Sequence, residues 1–399
     1  MKRLFVTLGL IAAAGCASSP QQQKTPPAPA PASYAPSYGF DMGTSPVGVI
    51  PSAILHDGAR NKNLDISIEY PARGTGPFPI IIFSHGYGGS EHGYEALISY
   101  WTSYGYVCIR PAHADAGALR DTMSDLLAMR RDQAANNRRR ERQPANPNAA
   151  NAQAKPRPNV AEMIWEKERE PQWRDRAADI VLILDSLNAL EKDYPELQGK
   201  MDHARIGVGG HSYGAFTAMI TAGAKTFGTP PVALADARVK AMMAMSPQGV
   251  AANRGLTADS WRDVHVPAMY MTGSNDYGAN ETEGPDWRRS AFDDSPAGDK
   301  YFVLIKGANH MTFTGMASGL GEQYRQTPQA PITDPRTGQV MNPGYQQEQR
   351  IPQISDRGTF ASIRSVSLMF WDSYLKDKKD AKASLDPTKY AGSVELVRK

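Results

Sequence analysis

Short apolar runs alternate with helical patterns along most of the chain, and this alternation restricts the fold more than any other feature of the sequence. Apolar runs predict strands at 66–70, 80–83, 106–109, 206–209, 239–245, 268–272 and 301–305. Helical patterns at 94–104, 173–187, 215–224 and 360–374 lie between or after them. Strands separated by helices form βαβ units, so we predict an α/β protein whose mostly parallel sheet has helices on both faces. Ligands of such sheets bind beyond the carboxyl ends of the strands.

Composition and charge narrow the class of protein further. Of 399 residues, 41 % are hydrophobic and 21 % are charged, which is enough apolar material for a large core. Lysine and arginine (44) nearly balance aspartate and glutamate (41), and the net charge of +3 predicts no nucleic-acid partner. Two cysteines exclude a scaffold built on disulfides. Beyond residue 15, no apolar run approaches the roughly twenty residues of a membrane-spanning helix.

The N-terminal residues have the pattern of an export signal followed by a spacer. A basic start at Met1-Lys2-Arg3 and an apolar run precede Ala13-Ala14-Gly15-Cys16, which is similar to a bacterial lipobox. We predict a lipoprotein signal peptide at 1–15, lipidation of Cys16 and a Pro/Ala-rich linker at 16–40. The alternatives are an ordinary signal peptide beside an incidental cysteine, or a short buried helix. The expected location is the periplasm or the cell surface, with the (outer) membrane contacted only through the lipid.

We assign residues 41–399 to one domain with an Arg-rich helical insertion at 114–172, where the alternation of strands and helices stops. Six arginines lie between 130 and 142, and residues 144–158 are rich in Pro, Asn and Ala. Such arginines are typical of a solvated helix face, and an anion or nucleic-acid site is the alternative. Because the insertion follows the carboxyl end of a strand, a lid is a further interpretation.

The segment Gly210-His211-Ser212-Tyr213-Gly214 has the pattern of a nucleophile elbow. It follows the predicted strand at 206–209 and precedes the helix at 215–224, which is the strand–turn–helix context that this motif requires. Glycines are needed because the turn is so tight that side chains there meet neighbouring backbone. A Gly-rich structural turn is the alternative. The sequence thus predicts Ser212 as a nucleophile at the N-terminal end of a helix.

A serine hydroxyl needs an adjacent base, and two later strand ends supply candidates. Asp276 follows the strand at 268–272 and His310 follows the strand at 301–305, in the chain order Ser, Asp, His. His310 is the predicted base, and Asp276 is predicted to orient it. The alternatives to Asp276 are Glu281, Glu283 and Asp286. The remaining candidates are assigned to other roles: His85 and His211 to packing or hydrogen bonding, and His113 and His265 to structural or surface positions.

A tetrahedral intermediate needs hydrogen-bond donors for its oxyanion, and the segment at 84–89 follows a strand where such donors are expected. We assign these donors to the backbone N–H groups of Tyr87 and Tyr213. No His-Glu-x-x-His, Cys-x-x-Cys or Gly-Lys-Ser motif occurs, so no metal or cofactor is predicted. Cys108 lies inside an apolar strand and is interpreted as a buried thiol.

Several of these segments together resemble the α/β-hydrolases. They are 79–89 with 104–106, 207–214, 238–247 and 307–311. The resemblance is strongest to the bacterial branch related to platelet-activating-factor acetylhydrolases, dienelactone-hydrolase-like proteins and cutinase-like polyester hydrolases. It implies an α/β-hydrolase fold, with Ser212 as nucleophile, Asp276 as acid, His310 as base and Tyr87 at the oxyanion position. True dienelactone hydrolases carry a Cys nucleophile, so Ser212 favours ordinary ester hydrolysis.

Taken together, the motifs and the resemblance predict a serine esterase that cleaves carboxylic esters through an acyl-enzyme. The expected partner is a small-molecule, lipid or polyester ester. A noncatalytic binding lipoprotein on the same fold and a serine peptidase are the alternatives. Aromatic side chains at Tyr87, Tyr213, Trp261 and Trp287 are interpreted either as apolar walls of a substrate site or as core.

Overall fold

The computed structural model describes residue 38 and residues 41–118, 172–227, 232–278, 283–315, 331–333, 340–343, 358–390 and 392–399. The predicted signal peptide, Cys16, most of the predicted linker and residues 119–171 of the predicted insertion lie outside the described residues. None of the described helices is both long enough and apolar enough to cross a membrane.

Strands and helices alternate in the described part of the chain. The strands are β1 (Val47–Asp57), β2 (Lys62–Pro71), β3 (Phe78–Ser84), β4 (Val107–Pro111), β5 (Met201–His211), β6 (Lys225–Thr226), β7 (Val232–Ala233), β8 (Val239–Met245), β9 (Ala268–Asn275), β10 (Lys300–Asn309), β11 (Pro331–Thr333), β12 (Val340–Pro343) and β13 (Val394–Arg398). The helices are α1 (Glu95–Ser103), α2 (Gln172–Asp193), α3 (Tyr213–Thr221), α4 (Pro285–Asp293), α5 (Thr359–Leu375) and α6 (Lys379–Ser384). Every predicted strand and helix outside the insertion is present, with ends shifted by a few residues.

One nine-stranded sheet in the order β1-β2-β4-β3-β5-β8-β9-β10-β13 organises the described residues. Neighbours from β4 through β10 pair in parallel. The antiparallel strands β1, β2 and β13 lie at the two edges. The prediction of a mostly parallel sheet in an α/β-hydrolase fold is confirmed.

Side chains of the central strands alternate between two cores, because successive residues of a strand point to opposite faces. In β3, Ile80 and Ile82 face a core that includes α2 and α3, whereas Ile81 and Phe83 face a second core that includes α1 and α5. All four side chains are buried. Helices therefore cover both faces of the sheet, as predicted.

Helix α5 packs directly on the strand that leads to the predicted nucleophile. A Cβ atom added at Gly207 of β5 would lie 2.6 Å from the indole ring of Trp371 in α5. Trp371 is itself fully buried and makes an edge contact with Trp101 of α1. Glycine at this point of β5 therefore lets the last long helix approach the strand closely.

The sequence-based prediction of strands is incomplete at the two edges of the large sheet, and it also misses the short strands β6, β7, β11 and β12. Strand β1 was not predicted, and it contains Pro51 and a register shift between Ile50 and Ala53. Strand β13 was not predicted either, since its five residues include Glu395 and Arg398. Edge strands are exposed on one side, so their apolar patterns are weaker than those of central strands.

Tyr38 lies within the range predicted as a linker, yet it contacts the body of the protein. Its hydroxyl donates to the carboxylate of Asp372 in α5 at 2.6 Å, and its carbonyl accepts from Ser365. Tyr38 is therefore held against α5.

Candidate active site

Four neighbouring parallel strands end at the same edge of the sheet, and each is followed directly by a residue of the candidate site. Strand β5 leads to Ser212, β8 to Ser246, β9 to Asp276 and β10 to His310. Because these strands are adjacent in the sheet, residues far apart in sequence are brought together. The predicted Ser, Asp and His positions thus share one edge, and Ser246 joins them.

Ser212 occupies a strained turn between β5 and α3. Its φ of 55° and ψ of −119° place it in a region that residues other than glycine rarely adopt, which is typical of a functional constraint. Its N–H donates to the carbonyl of Met245 at 2.9 Å, and its carbonyl accepts from the amide of Gln248 at 3.0 Å. These bonds to the end of β8 and to the segment after it fix the backbone, and Ser212 remains partly exposed.

The flanking glycines of the elbow are required by close backbone contacts. A Cβ atom at Gly210 would lie 2.1 Å from the carbonyl oxygen of Gly214. A Cβ atom at Gly214 would lie 1.9 Å from the carbonyl oxygen of Ser84, at the end of β3. The turn and the start of the 84–89 segment therefore touch through their backbones, as the motif predicts.

His310 and Asp276 form a direct hydrogen-bonded pair. The Nδ1 atom of His310 lies 2.9 Å from Oδ1 of Asp276, so the carboxylate fixes the imidazole tautomer with the proton on Nδ1. The side chain of Asp276 is fully buried, whereas that of His310 is 32 % exposed. His310 also lies beside the elbow, with its ring centroid 4.6 Å from that of His211, the residue before Ser212.

Burial alone would raise the pKa of Asp276, but the hydrogen bond from His310 and the charge of Arg288 hold this pKa well below its usual range. Arg288 of α4 lies 3.2 Å from Oδ1 of Asp276 and also donates to the carbonyls of Ser246, Pro247 and Asp276. The second carboxylate oxygen accepts from Ser246 at 2.5 Å and from Thr272 at 2.9 Å. Asp276 is therefore an ionised, fully hydrogen-bonded carboxylate, as a base-orienting residue requires.

Two of the three alternatives to Asp276 lie elsewhere. Glu283 pairs with Arg254 at 2.9 Å, and Asp286 is exposed in the first turn of α4. Glu281 lies outside the described residues. Among the residues that the structure describes, Asp276 is the carboxylate in contact with His310.

The two predicted oxyanion donors belong to neighbouring segments. Tyr87 lies in the segment 84–89, and Tyr213 is the first residue of α3, where backbone N–H groups point out of the helix. Both side chains are buried, and their ring centroids are 6.5 Å apart. The segment 84–89 is bound to its surroundings by the N–H of Gly88, which donates to Asp115 at 2.9 Å, and by the N–H of Gly86, which donates to the hydroxyl of Tyr94 at 3.0 Å.

The other predicted histidines have hydrogen-bonding roles. Nε2 of His85 accepts from the backbone N–H of His113, so its proton lies on Nδ1, which donates to the carbonyl of Gly86 at 2.6 Å. Nδ1 of His211 lies 2.8 Å from the hydroxyl of Tyr94. Burial lowers the pKa of His85 to about 4 and holds that of His211 well below its usual range. Both rings are therefore neutral neighbours of the site, and His265 is exposed at the surface.

A second Ser, His and Asp group lies beneath the segment 84–89 and was not predicted. His113, to which the sequence assigned no partner, contacts Ser84 through Nε2 and Asp179 through Nδ1, each at 2.8 Å. Ser84 and Asp179 are fully buried, and Asp179 is also bound by Arg60 and Lys62. Since Ser84 has no access to solvent, this group is a structural network.

The aromatic residues divide between core and surface. Trp261 is fully buried, and its indole N–H lies 3.2 Å from the sulfur of Met219. Trp261 therefore belongs to the core. Trp287 is half-buried in α4 and donates to the carbonyl of Val250 in the segment after β8.

A mostly parallel sheet covered on both faces, with an elbow after its central strand and an acid and a histidine after neighbouring strands, defines the class of α/β-hydrolases. Residues 48–234 match the family described as platelet-activating factor acetylhydrolase, isoform II, which is an α/β-hydrolase family. The predicted resemblance to this branch is confirmed, and the match includes Tyr87 and Ser212 while Asp276 and His310 lie beyond it. Members of the family are serine esterases, so serine hydrolase activity in general follows. No curated protein matches the chain significantly.

Proposed function

We propose that the protein hydrolyses carboxylic esters through an acyl-enzyme formed on Ser212. The observation that carries this proposal is the hydrogen bond between His310 and a buried, ionised Asp276, beside a strained and partly exposed Ser212. This is the combination that converts a serine hydroxyl into a nucleophile. The family match in residues 48–234 supports the same class of reaction.

In the proposed reaction, His310 takes the Ser212 proton as Oγ attacks the ester carbonyl. The charge that develops on the carbonyl oxygen is stabilised by the N–H groups of Tyr87 and Tyr213. The tetrahedral intermediate collapses, the C–O bond to the alcohol breaks, and His310 returns the proton to the alcohol. Water, deprotonated by His310, then attacks the acyl carbonyl. The bond to Oγ of Ser212 breaks, His310 returns the proton to Oγ, and the acid is released.

A fluorophosphonate probe tests this proposal, because it reacts covalently with an activated serine. We expect labelling of the wild type and none of the Ser212→Ala variant, with Ser84→Ala as the control that leaves the labelled serine in place. Absence of labelling in the folded wild type would favour the noncatalytic binding protein. Esters of graded acyl length, phospholipids and polyesters, compared with peptide amides, then distinguish an esterase from a peptidase.

We also propose that the protein is exported and held at the membrane by a lipid on Cys16. The support is the basic start, the apolar run and the sequence Ala13-Ala14-Gly15-Cys16, followed by a Pro-rich segment. Detergent phase partition of the expressed full chain tests this. We expect the wild type in the detergent phase and the Cys16→Ser variant, which lacks the lipid, in the aqueous phase. Equal partition of the two would contradict the anchor.

A further inference from the structure

The guanidinium of Arg176, in α2, lies between the segment 84–89 and the ring of Tyr213. Its Nη1 donates to the carbonyl of His85 at 2.7 Å, and its Nη2 lies 3.4 Å from the carbonyl of Gly86. Its central carbon is 4.3 Å from the centroid of the Tyr213 ring. One side chain thus contacts both segments to which the oxyanion donors are assigned.

Asp115 completes this arrangement from the other side. Its two oxygens accept from Nε and Nη2 of Arg176 at 2.9 and 2.7 Å, which is a bidentate pair. The oxygen that receives Nη2 also accepts the N–H of Gly88 at 2.9 Å. The pair therefore binds the backbone immediately before and immediately after Tyr87.

The burial of this ion pair favours a role in positioning the groups around it rather than in stabilising the fold. Arg176 is 1 % exposed and Asp115 is 4 % exposed. Removing two charges from water costs about as much as their attraction returns, so a buried pair is a poor source of net stability. The pair instead fixes the orientation of the groups that it binds, because a planar guanidinium holds its acceptors at fixed angles.

We propose that Arg176 and Asp115 are positioning residues that hold the N–H groups of Tyr87 and Tyr213 toward one carbonyl oxygen of the substrate. This inference rests on the proposed esterase function. Donors fixed before the reaction stabilise the developing oxyanion without reorganisation, so a small displacement lowers turnover more than substrate binding.

The test compares Arg176→Lys with Arg110→Lys, a matched control. Arg110 is also buried and paired, with Glu69 at 2.8 Å, but it donates to Ser67 and Gly93, outside the segment 84–89. A p-nitrophenyl ester and its thionoester analogue are the substrates. Sulfur is a weak hydrogen-bond acceptor, so the thionoester depends less on the oxyanion donors.

We expect Arg176→Lys to lower kcat for the oxygen ester by about 100-fold with little change in KM. We also expect it to lower the ratio of oxygen-ester to thionoester turnover, whereas Arg110→Lys leaves both quantities near the wild-type values. Asp115→Asn, which keeps the size of the side chain, carries the same expectation and replaces Arg176→Lys if that variant unfolds. Urea unfolding shows whether each variant is folded, and titration of Ser212 with the fluorophosphonate counts the reactive molecules. The values of kcat are then compared per reactive molecule.

An unchanged kcat and an unchanged substrate ratio in either folded variant would overturn the inference while leaving the esterase proposal intact. Equal losses for the two substrates would also overturn it, because a general loss of structure affects both. A wild type that neither hydrolyses esters nor reacts with the probe would instead contradict the proposed function itself.

Discussion

At the scale of single residues, both oxygens of Asp276 are fully engaged. Oδ1 faces His310 and Arg288, and Oδ2 accepts from Ser246 and Thr272. These partners are all hydrogen-bond donors. A carboxylate accepts through both oxygens, whereas an amide would place an NH₂ donor against some of them. The chemical nature of this one side chain therefore decides the tautomer of His310.

We expect Asp276→Asn to lower kcat by about 10³- to 10⁴-fold, because an amide neither holds the proton of His310 on Nδ1 nor stabilises the imidazolium. Steady-state hydrolysis of a p-nitrophenyl ester measures this loss. The matched control is Asp286→Asn, at an exposed position of α4. Activity of folded Asp276→Asn within tenfold of the wild type would contradict the role assigned to Asp276.

The sequence predicts Ser212 from the Gly-x-Ser-x-Gly pattern, and Asp276 and His310 from their positions after apolar strands in the chain order Ser, Asp, His. It did not identify Ser246, which also follows such a strand, because a serine in the segment Met245-Ser246-Pro247 belongs to no recognised motif. Arg176 and Arg288 lie inside helices, where an arginine pattern is typical of a solvated face. Their burial depends on contacts between distant segments, and no local pattern reports such contacts.

At the scale of elements, the elbow and the segment 84–89 are packed backbone to backbone. The gap between Gly214 and the carbonyl of Ser84 leaves no space for a methyl group. We expect Gly214→Ala to destabilise the protein by about 3 kcal/mol, the upper end of the usual range for overpacking, because the added methyl group meets backbone of β3. Urea unfolding followed by circular dichroism measures the difference.

Gly58→Ala is the matched control for this substitution. A Cβ atom at Gly58 meets only the ring of His56, at 4.0 Å, in the turn after β1. We expect this variant to unfold within about 0.5 kcal/mol of the wild type, as is usual for a surface substitution. Similar stability of the two alanine variants would mean that the elbow tolerates a side chain at 214.

The central strands were predictable and the outermost strands, β1 and β13, were not, for a physical reason. Strands β3, β8 and β9 are buried on both faces and read as continuous apolar runs. Strands β1 and β13 are half-covered, and their polar residues and Pro51 resemble those of loops. The four predicted helices are present: α2 buries one stripe, whereas α1, α3 and α5 are buried over nearly their whole surface. Helices α4 and α6 were not predicted.

At the scale of the whole molecule, three neutral histidines lie in the interior. Burial, reinforced by the charge of Arg176, holds the pKa of His85 at about 4 and that of His113 well below its usual range. Burial, reinforced by His310, does the same for His211. In the unfolded chain all three titrate near 6.5, so the unfolded state binds more protons below that pH.

We therefore expect the free energy of unfolding to be highest above a pH of about 6.5 and to fall below it. The three histidines contribute up to about 4 kcal/mol per pH unit, and Asp65, whose pKa burial raises to about 6, offsets about 1.4 kcal/mol per pH unit of this fall. Urea unfolding between about pH 8 and pH 5 measures this slope. His113→Gln removes one of the three groups, so its slope is shallower by about 1.4 kcal/mol per pH unit. His265→Gln, at an exposed position, keeps the wild-type slope. A flat profile for the wild type would contradict the prediction.

The ion pair of Asp115 and Arg176 has a consequence for protein engineering. Asp115 stands four residues before the stretch 119–171, and Arg176 is the fifth residue of α2, the helix that follows it. The ion pair therefore joins the two segments on either side of residues 119–171. A designed segment that joins these two positions therefore has to match a separation that the ion pair fixes.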